Sequence, residues 1–254
     1  MTSVANELPV ADIIVDEFPN SGVFNMSMDA ALLQLAAERS SSVVRIYRWS
    51  EPTVTLGYFQ GSVGITDSPF PELPVVRRLS GGGAILHDQE ITYSLILPAS
   101  HPTRHDPSSV YETVHRGIIE LLTAGGFPCQ LRSEFDALHF NEITSEHGNG
   151  AEPFLCFLRR NPNDIVHQSG IKVVGSAQRR RKGVTLQHGS TILRASALAP
   201  QVQGIEDLEP QCETDDFRRR LPDAIARGIS HSINVRNYTE AEKSLAAAIA
   251  IEMS

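Results

Sequence analysis

Cysteine is scarce in this chain of 254 residues, which contains only Cys129, Cys156 and Cys212. An odd number of cysteines at wide spacing fits neither a disulfide framework nor a zinc site built from cysteine pairs. The sequence therefore predicts no metal site, and any cysteine with a chemical role has to act alone.

Long apolar runs are also missing, since no stretch of eighteen consecutive apolar residues occurs and no basic flank precedes an apolar segment at the N-terminus. A membrane-spanning helix needs about 20 apolar residues, and a secretion signal needs that N-terminal pattern. We therefore expect no membrane association and no secretion, and we predict a cytoplasmic protein.

An excess of basic residues is absent, because Lys and Arg number 22 against 30 Asp and Glu, giving a formal net charge of −8. Nucleic-acid phosphates require a basic surface, so this charge argues against nucleic-acid binding. Basic residues nevertheless cluster at Arg77-Arg78, Arg159-Arg160, 179–182 and 218–220. Each cluster taken alone is typical of solvated surface.

The length and composition of the chain favour a single domain, 1–254; the motifs described below fall in a core at about 24–194, and 195–254 is predicted to be a helical extension. Strands and helices mix without regular βαβ alternation, which favours an α+β fold with a mixed sheet. Two helices are predicted at 25–39, with Asn25 or Ser27 as the N-cap, and at 106–122, ended by Gly125-Gly126; two more are predicted in the last forty residues. The predicted strands are 43–49, 53–58, 75–78, 84–87, 92–97, 172–178 and 184–193. Residues 141–152 are predicted to form a mobile loop.

Three successive glycines, Gly81, Gly82 and Gly83, follow Ser80 between two predicted strands. Without side chains they allow a ligand to approach the backbone closely. The Lys-Ser/Thr ending of a phosphate-binding loop and a spaced dinucleotide fingerprint are both missing, which argues against nucleotide binding of those kinds. A flexible turn is the alternative interpretation.

Lys172 begins a predicted strand in which alternation places Lys172, Ser176 and Gln178 on one face. A hairpin turning at 179–183 would bring His188 and Ser190 onto the same side as Lys172, although a register slip of one residue would reverse this. Lysines in strands usually lie at a solvent edge. The sequence alone leaves both interpretations open.

Cys156 lies in an apolar run, residues 154–158, directly before Arg159-Arg160. Free cysteines are commonly buried as small hydrophobic residues, and the apolar neighbours favour that interpretation. Basic neighbours, and Lys172 if it lies close, would instead favour the thiolate form that acts as a nucleophile.

Taken together, these segments resemble the biotin/lipoate protein ligase superfamily, in particular its octanoyl and lipoyl transferase branch. The resemblance runs from about residue 24 to residue 193 and includes Met28-Asp29 and 52–57. Its most specific parts are the Arg-Arg-x-Ser-Gly-Gly-Gly-Ala run with its following His-Asp, within 77–88, and the Lys-x-x-Gly-Ser-Ala-Gln and Gln-His-Gly runs within 172–193.

The resemblance implies a mixed sheet with outer helices and a hydrophobic acyl tunnel beside the glycines. It implies that Cys156 forms a thioester with the acyl group and that Lys172 faces the acyl carbonyl. Lys172 is also a candidate to exchange protons with the accepting amine, and His188 is the reserve candidate for the base. The substrate-binding residues predicted with them are Arg78, Ser80, Gly81, Gly82, Gly83, His87, Gly175, Ser176 and Ala177.

The implied reaction transfers an octanoyl or lipoyl group from a carrier to a lysine of a lipoyl domain without a cofactor. The expected donor is an acyl carrier protein or the glycine cleavage H protein. Because such carriers are typically acidic, the basic clusters at 159–160 and 179–182 are candidate docking patches.

Two alternatives remain open at this point. Asn163-Asp164-Ile165 resembles ATP-dependent lipoate ligases, which would require ATP and Mg²⁺, although such ligases generally use an accessory C-terminal domain for which few residues remain here. A noncatalytic protein that binds acyl groups or lipoyl domains would share the same fold and motifs.

Overall fold

The computed structural model describes residues 9–61, 68–139 and 153–253. The mobile loop predicted for 141–152 lies outside the described residues. The strands are β1 (Val10–Val15), β2 (Ser42–Tyr47), β3 (Thr53–Leu56), β4 (Val75–Arg77), β5 (Ile85–His87), β6 (Glu90–Leu97), β7 (Cys129–Leu131), β8 (Ile165–His167), β9 (Lys172–Arg181), β10 (Val184–Ile192) and β11 (Ser232–Val235). The helices are α1 (Gly22–Leu35), α2 (Pro107–Ala124), α3 (Arg132–Leu138), α4 (Ile205–Leu208), α5 (Thr214–Ile229) and α6 (Glu240–Met253).

Eight of these strands form one mixed sheet in the order β11-β1-β2-β6-β10-β9-β8-β7. The β11–β1 and β1–β2 pairs are parallel, and the other pairs of this sheet are antiparallel. The order β4-β3-β5 describes a second, smaller sheet. The predicted α+β fold with a mixed sheet is confirmed.

Helices cover both faces of the large sheet, and its strands alternate between two cores as the pleat requires. On β2, Val44 packs into the core that contains residues of α2 and α5, whereas Val43 packs into the core that contains residues of α1 and α6. The two C-terminal helices, α5 and α6, therefore each pack on one face of the large sheet. None of the described helices is long and apolar enough to cross a membrane.

Helix α1 begins at Gly22, three residues earlier than predicted. The hydroxyl of Ser21 accepts a hydrogen bond from the amide of Phe24 and so satisfies one of the free donors at the helix start. Asn25 and Ser27, the predicted caps, lie buried within the helix. The helix predicted at 106–122 is confirmed as α2.

The predicted hairpin of β9 and β10 is present, but its turn contains two residues only, Lys182 and Gly183. Both have positive φ angles, 51° and 82°, as a type I′ hairpin turn requires. Strand β9 therefore continues through Arg181, and the basic side chains predicted for the turn lie along the end of the strand.

The predicted C-terminal extension contains the two expected helices, α5 and α6, but also a strand that the sequence pattern did not indicate. β11 pairs in parallel with β1 at the edge of the large sheet. It has only two apolar residues, Ile233 and Val235, and is mostly exposed. The pairing with β1, near the other end of the chain, places β11 in the sheet; a local sequence pattern does not.

Candidate active site

The small sheet brings Cys156 to the glycine segment. Residues 78–84 connect β4 to β5, which lie on either side of β3. At the end of this connection Ala84 accepts a hydrogen bond of 2.7 Å from the amide of Cys156, and its own amide donates to Phe154 over 3.1 Å. These bonds hold the start of a 3-10 turn, Cys156–Leu158, against the small sheet.

A small cavity lies between the small sheet and the large sheet. Part of its wall is apolar and is formed by Met26, Tyr47, Trp49, Ile85 and Phe157. Most of the predicted site residues line it as well. These are Arg78, Ser80, His87, Cys156, Lys172, Gly175, Ser176, Ala177 and His188, whereas Gly81, Gly82 and Gly83 are not among the lining residues.

The glycine segment is folded around the buried guanidinium of Arg78. This side chain donates to the carbonyls of Gly81 and Gly83 over 2.7 and 2.6 Å and to that of Thr55 over 3.1 Å. Burial lowers the pKa of Arg78 to about 10, which leaves it charged at neutral pH. Arg78 therefore shapes the turn in addition to lining the cavity.

Gly82 has a φ of 95°, a conformation that glycine adopts without strain. A Cβ atom at Gly82 would lie 3.6 Å from Sγ of Cys156. The glycine turn and the cysteine sulfur are therefore neighbours, and a side chain at this position would reduce the space beside the sulfur.

The three cysteines occupy different environments. Cys129 and Cys212 pack with the core between the large sheet and helices α2 and α5. Burial raises the pKa of Cys129 to about 12 and also raises that of Cys212, which disfavours their thiolates. Cys156 is only partly buried and lies at the cavity, so it is not the core residue that its apolar neighbours suggested.

Lys172 reaches the same place from β9. Its ammonium lies 2.9 Å from the carboxylate of Asp164 and 3.3 Å from the carbonyl oxygen of Cys156, and 5.1 Å from the ring centre of Phe157. Both ion-pair side chains are buried. Burial raises the pKa of Asp164, and the charge of Lys172 offsets part of that effect. Lys172 is thus not a solvent-edge lysine. Asp164 also belongs to the candidate site, although the sequence indicated it only through the ligase-like segment Asn163-Asp164-Ile165.

A β-bulge decides which way Lys172 points. Ile165 and Val166 of β8 pair with Val174 and Lys172, so that Val173 is an extra residue in β9. Val173 and Val174 consequently pack into the same core instead of facing opposite sides. The predicted shared face of Lys172, Ser176 and Gln178 was wrong, because the bulge breaks the alternation between them.

His188 pairs with Ala177 in the hairpin, and Ser190 pairs with Gly175. Directly opposed residues of an antiparallel pair share a face. A Cβ at Gly175 would lie 2.6 Å from Cε of Lys172, so this is also the face that Lys172 occupies. His188 and Ser190 therefore lie on the side of Lys172, as predicted.

The hydroxyl of Ser176 does not face the cavity. It hydrogen-bonds Tyr93 over 2.7 Å and also bonds His115 of α2 on the opposite side of the sheet. The other ring nitrogen of His115 bonds the carbonyl oxygen of Asn163. Burial lowers the pKa of His115 to about 4, so the ring is neutral at pH 7. The predicted substrate contact of Ser176 is therefore limited to its backbone.

A buried carboxylate supports His188. Asp29 of α1 accepts hydrogen bonds from Tyr47 over 2.8 Å and from Arg45 over 2.8 Å, and its Oδ2 lies 2.9 Å from Nε2 of His188. Burial alone would raise the pKa of Asp29, but Arg45, His188 and Ser94 together outweigh that effect and hold the pKa well below its usual range. The carboxylate favours a proton on Nε2, which leaves Nδ1 as the acceptor for the Ser80 hydroxyl at 3.1 Å.

His87 is held beside the apolar wall of the cavity. Its ring stacks on Trp49 with 3.9 Å between ring centres, and its nitrogens bond Thr55 and Glu90, each over 2.9 Å. Burial lowers the pKa of His87, so a neutral ring is favoured. Both ring nitrogens have partners, and His87 therefore offers a ligand the ring surface rather than a free donor. Among the described residues no group of three His, Cys, Asp or Glu side chains could hold a metal ion.

A mixed sheet with outer helices is an architecture that this chain shares with solved lipoate protein ligases. Lipoate-protein ligase A bound with ATP superimposes with a TM-score of 0.67 and 21% identity, covering 95% of this chain and 94% of that chain. A bipartite lipoate protein ligase from Thermoplasma acidophilum has a TM-score of 0.62 and 19% identity, with 97% and 93% covered. At these identities the likeness establishes the fold alone.

The chain belongs to the lipoyl protein ligase A/B catalytic domain family, which it matches over residues 21–221. The family resemblance inferred from the glycine and lysine segments is thereby confirmed. It is similar to Octanoyltransferase LipM of Brevibacillus brevis, with 40% identity over 178 residues that cover 68% of this chain and 62% of the relative. The Bacillus subtilis protein of the same name is 36% identical over 186 residues, covering 70% and 64%. The chain spans less than two thirds of the length of these curated relatives.

Proposed function

We propose that this protein is an acyltransferase that moves an octanoyl group from a carrier thioester to a lysine of a lipoyl domain through an acyl-enzyme on Cys156. The observation that carries the proposal is the position of the Cys156 sulfur, beside the glycine turn and at a cavity that Lys172 also lines. The similarity to proteins named octanoyltransferase supports the choice of acyl group.

The apolar wall of the cavity supplies the affinity for the chain. Met26, Tyr47, Trp49 and Ile85 offer hydrocarbon and aromatic surface beside the reacting groups. Each buried methylene contributes about 0.8 kcal/mol, so burying an octanoyl chain would contribute roughly 5 kcal/mol. That binding energy orients the carbonyl carbon at the cysteine sulfur.

In the first half-reaction the Cys156 thiolate attacks the thioester carbonyl. A bond forms between Sγ and the acyl carbon, the bond from that carbon to the carrier sulfur breaks, and the carrier thiolate takes up the proton released by Cys156. One thioester replaces another, so the step needs no ATP and no cofactor. The Lys172 ammonium and the backbone amides of the glycine turn are the groups available to stabilise the negative oxygen that develops.

In the second half-reaction the neutral amine of the acceptor lysine attacks the acyl-enzyme, the bond from Sγ of Cys156 to the acyl carbon breaks, and an amide forms. The leaving Cys156 thiolate takes up the proton that the attacking nitrogen loses. The amine must first lose a proton, because a free lysine has a pKa of about 10.4. Nδ1 of His188 is the group available to take it, through the hydroxyl of Ser80. Asp29 would stabilise the imidazolium that results, since it is held as a carboxylate beside Nε2.

The test is the intact mass of the purified protein after incubation with an octanoyl-acyl carrier protein, without ATP. We expect an adduct of one octanoyl group, mapped by peptide analysis to Cys156 and discharged when a lipoyl domain with a free lysine is added. An absent adduct, or one that maps elsewhere, would overturn the proposal. The glycine cleavage H protein in its octanoylated form is the second donor to compare.

ATP-dependent lipoate ligation is the second candidate, favoured by the Asp164 and Lys172 pair at the segment that resembles ligases. It requires lipoate, ATP and Mg²⁺, and it proceeds through an adenylate that needs no cysteine. Pyrophosphate release on adding these three to the Cys156→Ala variant would decide for it. Transfer without ATP that disappears in this variant would decide against it.

A further inference from the structure

We propose that Tyr58 and Phe59, together with the basic end of the β9–β10 hairpin, form the docking surface for an acidic carrier domain that delivers the acyl group. The inference rests on the proposed function, in which a carrier protein is the donor. It goes further in assigning the surface through which the carrier binds, which we call the Tyr58–Lys182 surface: Tyr58, Phe59, Arg179, Arg181 and Lys182.

Two adjacent aromatic side chains are exposed at the end of β3. Phe59 is 86% exposed and Tyr58 is 43% exposed, and their rings meet edge to face at 5.0 Å. Single exposed apolar residues are ordinary, but aromatic residues are enriched at protein interfaces, where they supply much of the binding energy.

These rings rest on the glycine turn. The amide of Tyr58 donates to the carbonyl of Ser80 over 2.9 Å, and a Cβ at Gly81 would lie 3.8 Å from the Phe59 ring. The next residue of the turn, Gly82, approaches the sulfur of Cys156. A carrier that contacts Phe59 would therefore stand beside the turn that borders the nucleophile.

The basic side of the surface comes from the hairpin. The guanidinium of Arg179 lies 3.7 Å from the ring centre of Tyr58, which connects the aromatic pair to β9. Arg181 and Lys182 follow at the exposed tip, and within the described part of the chain neither forms a salt bridge. Their positive charges therefore face solvent on a protein whose net charge is −8.

Basic side chains of two other clusters already contact groups of the protein itself. Arg218, Arg219 and Arg220 on α5 pair with Asp215 and Asp216 of the same helix. Arg159 donates to the carbonyl of Pro153, and its guanidinium lies so close to Gly83 that a Cβ there would be 2.5 Å away. The docking role predicted for 159–160 is therefore not included in the Tyr58–Lys182 surface.

The partner that matches this surface is a small acidic protein domain that carries its acyl group on a flexible arm. Acidic side chains would meet Arg181 and Lys182 and steer the encounter, which makes association depend on ionic strength. An apolar contact on Phe59 would supply the directional anchor. The arm then carries the thioester past the glycine turn to the cavity.

The experiment measures the Kd of purified, unacylated acyl carrier protein, which requires no transfer chemistry. The variants are Phe59→Ser and the double variant Arg181→Glu/Lys182→Glu, and the matched control is Arg219→Glu on α5. We expect the Kd to rise about tenfold for each docking variant and to change less than twofold for the control. The salt dependence of binding should be weaker in the double variant than in the wild type.

A second measurement follows the acylation of Cys156 by octanoyl-N-acetylcysteamine, a small uncharged thioester. It should proceed at the wild-type rate in both docking variants, since they leave the cavity intact. Unchanged carrier binding, equal weakening in the Arg219→Glu control, or equal loss of acylation by the small thioester would each overturn the docking inference. If the docking variants lose carrier binding but the wild-type protein forms no acyl adduct, the docking surface is supported and the proposed function is rejected.

Discussion

The two faces of the β9–β10 hairpin use similar polar side chains in different ways. Toward α2, the hydroxyls of Ser176 and Tyr93 bond each other and the ring of His115, so these groups are satisfied inside the fold. Toward the small sheet, Lys172 forms an ion pair with Asp164 and His188 lies 2.9 Å from a carboxylate oxygen of Asp29, and both side chains also line a cavity. The comparison teaches that access to a cavity, rather than residue type, separates the candidates for chemistry from the structural polar groups on the same two strands.

The largest expected effect is on the cavity face, at Cys156. The Cys156→Ala variant should lose octanoyl transfer by at least about a thousandfold, because no other nucleophile takes its place. Cys212→Ala, on the α2 side of the sheet, is the matched control and should transfer at nearly the wild-type rate. Transfer to a lipoyl domain is measured by mass spectrometry, and equal activity in the two variants would contradict the assignment.

The buried ion pair gives the next effect. Asp164→Asn would leave the Lys172 ammonium buried without a counter-charge, at a cost of about 3 kcal/mol in the free energy of unfolding. Acylation of Cys156 should slow about a hundredfold as Lys172 loses its position. Chemical denaturation and single-turnover acylation measure the two effects.

The double variant Asp164→Asn/Lys172→Met separates the two consequences of losing this pair. It should recover most of the stability, since no unpaired charge remains, but none of the activity. Asp223→Asn, which removes one partner of an exposed pair with Arg227, is the control and should change neither quantity appreciably. Recovered activity in the double variant would show that Lys172 has no part in the reaction.

On the α2 face, a pH effect on stability is expected from His115. Unfolded histidine has a pKa of about 6.5, whereas burial lowers the pKa of folded His115 to about 4. The unfolded state therefore binds the proton first as the pH falls, so the stability contribution is complete above pH 6.5 and is lost progressively down to pH 4. The loss is at most about 3 kcal/mol.

Unfolding free energies between pH 4.5 and 7.5 test this effect. The His115→Gln variant should show a smaller slope than the wild type over that range. A His115→Gln variant with the wild-type slope would mean that His115 does not titrate as its burial requires.

The smallest effects compare one serine from each face. Ser176→Ala removes the hydroxyl that joins Tyr93 to His115 and should cost about 1–2 kcal/mol of unfolding free energy while leaving acylation unchanged. Ser80→Ala removes the partner of His188 and should slow the discharge of the acyl-enzyme by the lipoyl-domain lysine about tenfold, with a smaller loss of stability. Rates and stabilities that fall in the same proportion for both variants would remove the distinction between the faces.

Much of the fold was predictable where the signal is local. The cap at Asp106 with the following proline, and the glycine after the helix, give the limits of α2 closely. The glycine in the hairpin turn and the alternation on both sides predict β9 and β10. Strands such as β7, β8 and β11 are three or four residues long, which is too short for a periodic pattern, so the local sequence does not predict them.

The sequence by itself determined which segments to assign to the candidate site, because the glycine run, the Lys172 strand and Cys156 are recognisable by their residues alone. It could not determine the direction of Lys172, since one extra residue in a strand turns every following side chain to the other face. Nor did it indicate how Asp29 and Asp164 contribute. Their partners, His188 and Lys172, lie on other elements, and only the packing of the sheets places each carboxylate within hydrogen-bonding distance of its partner, where burial makes the pairing necessary.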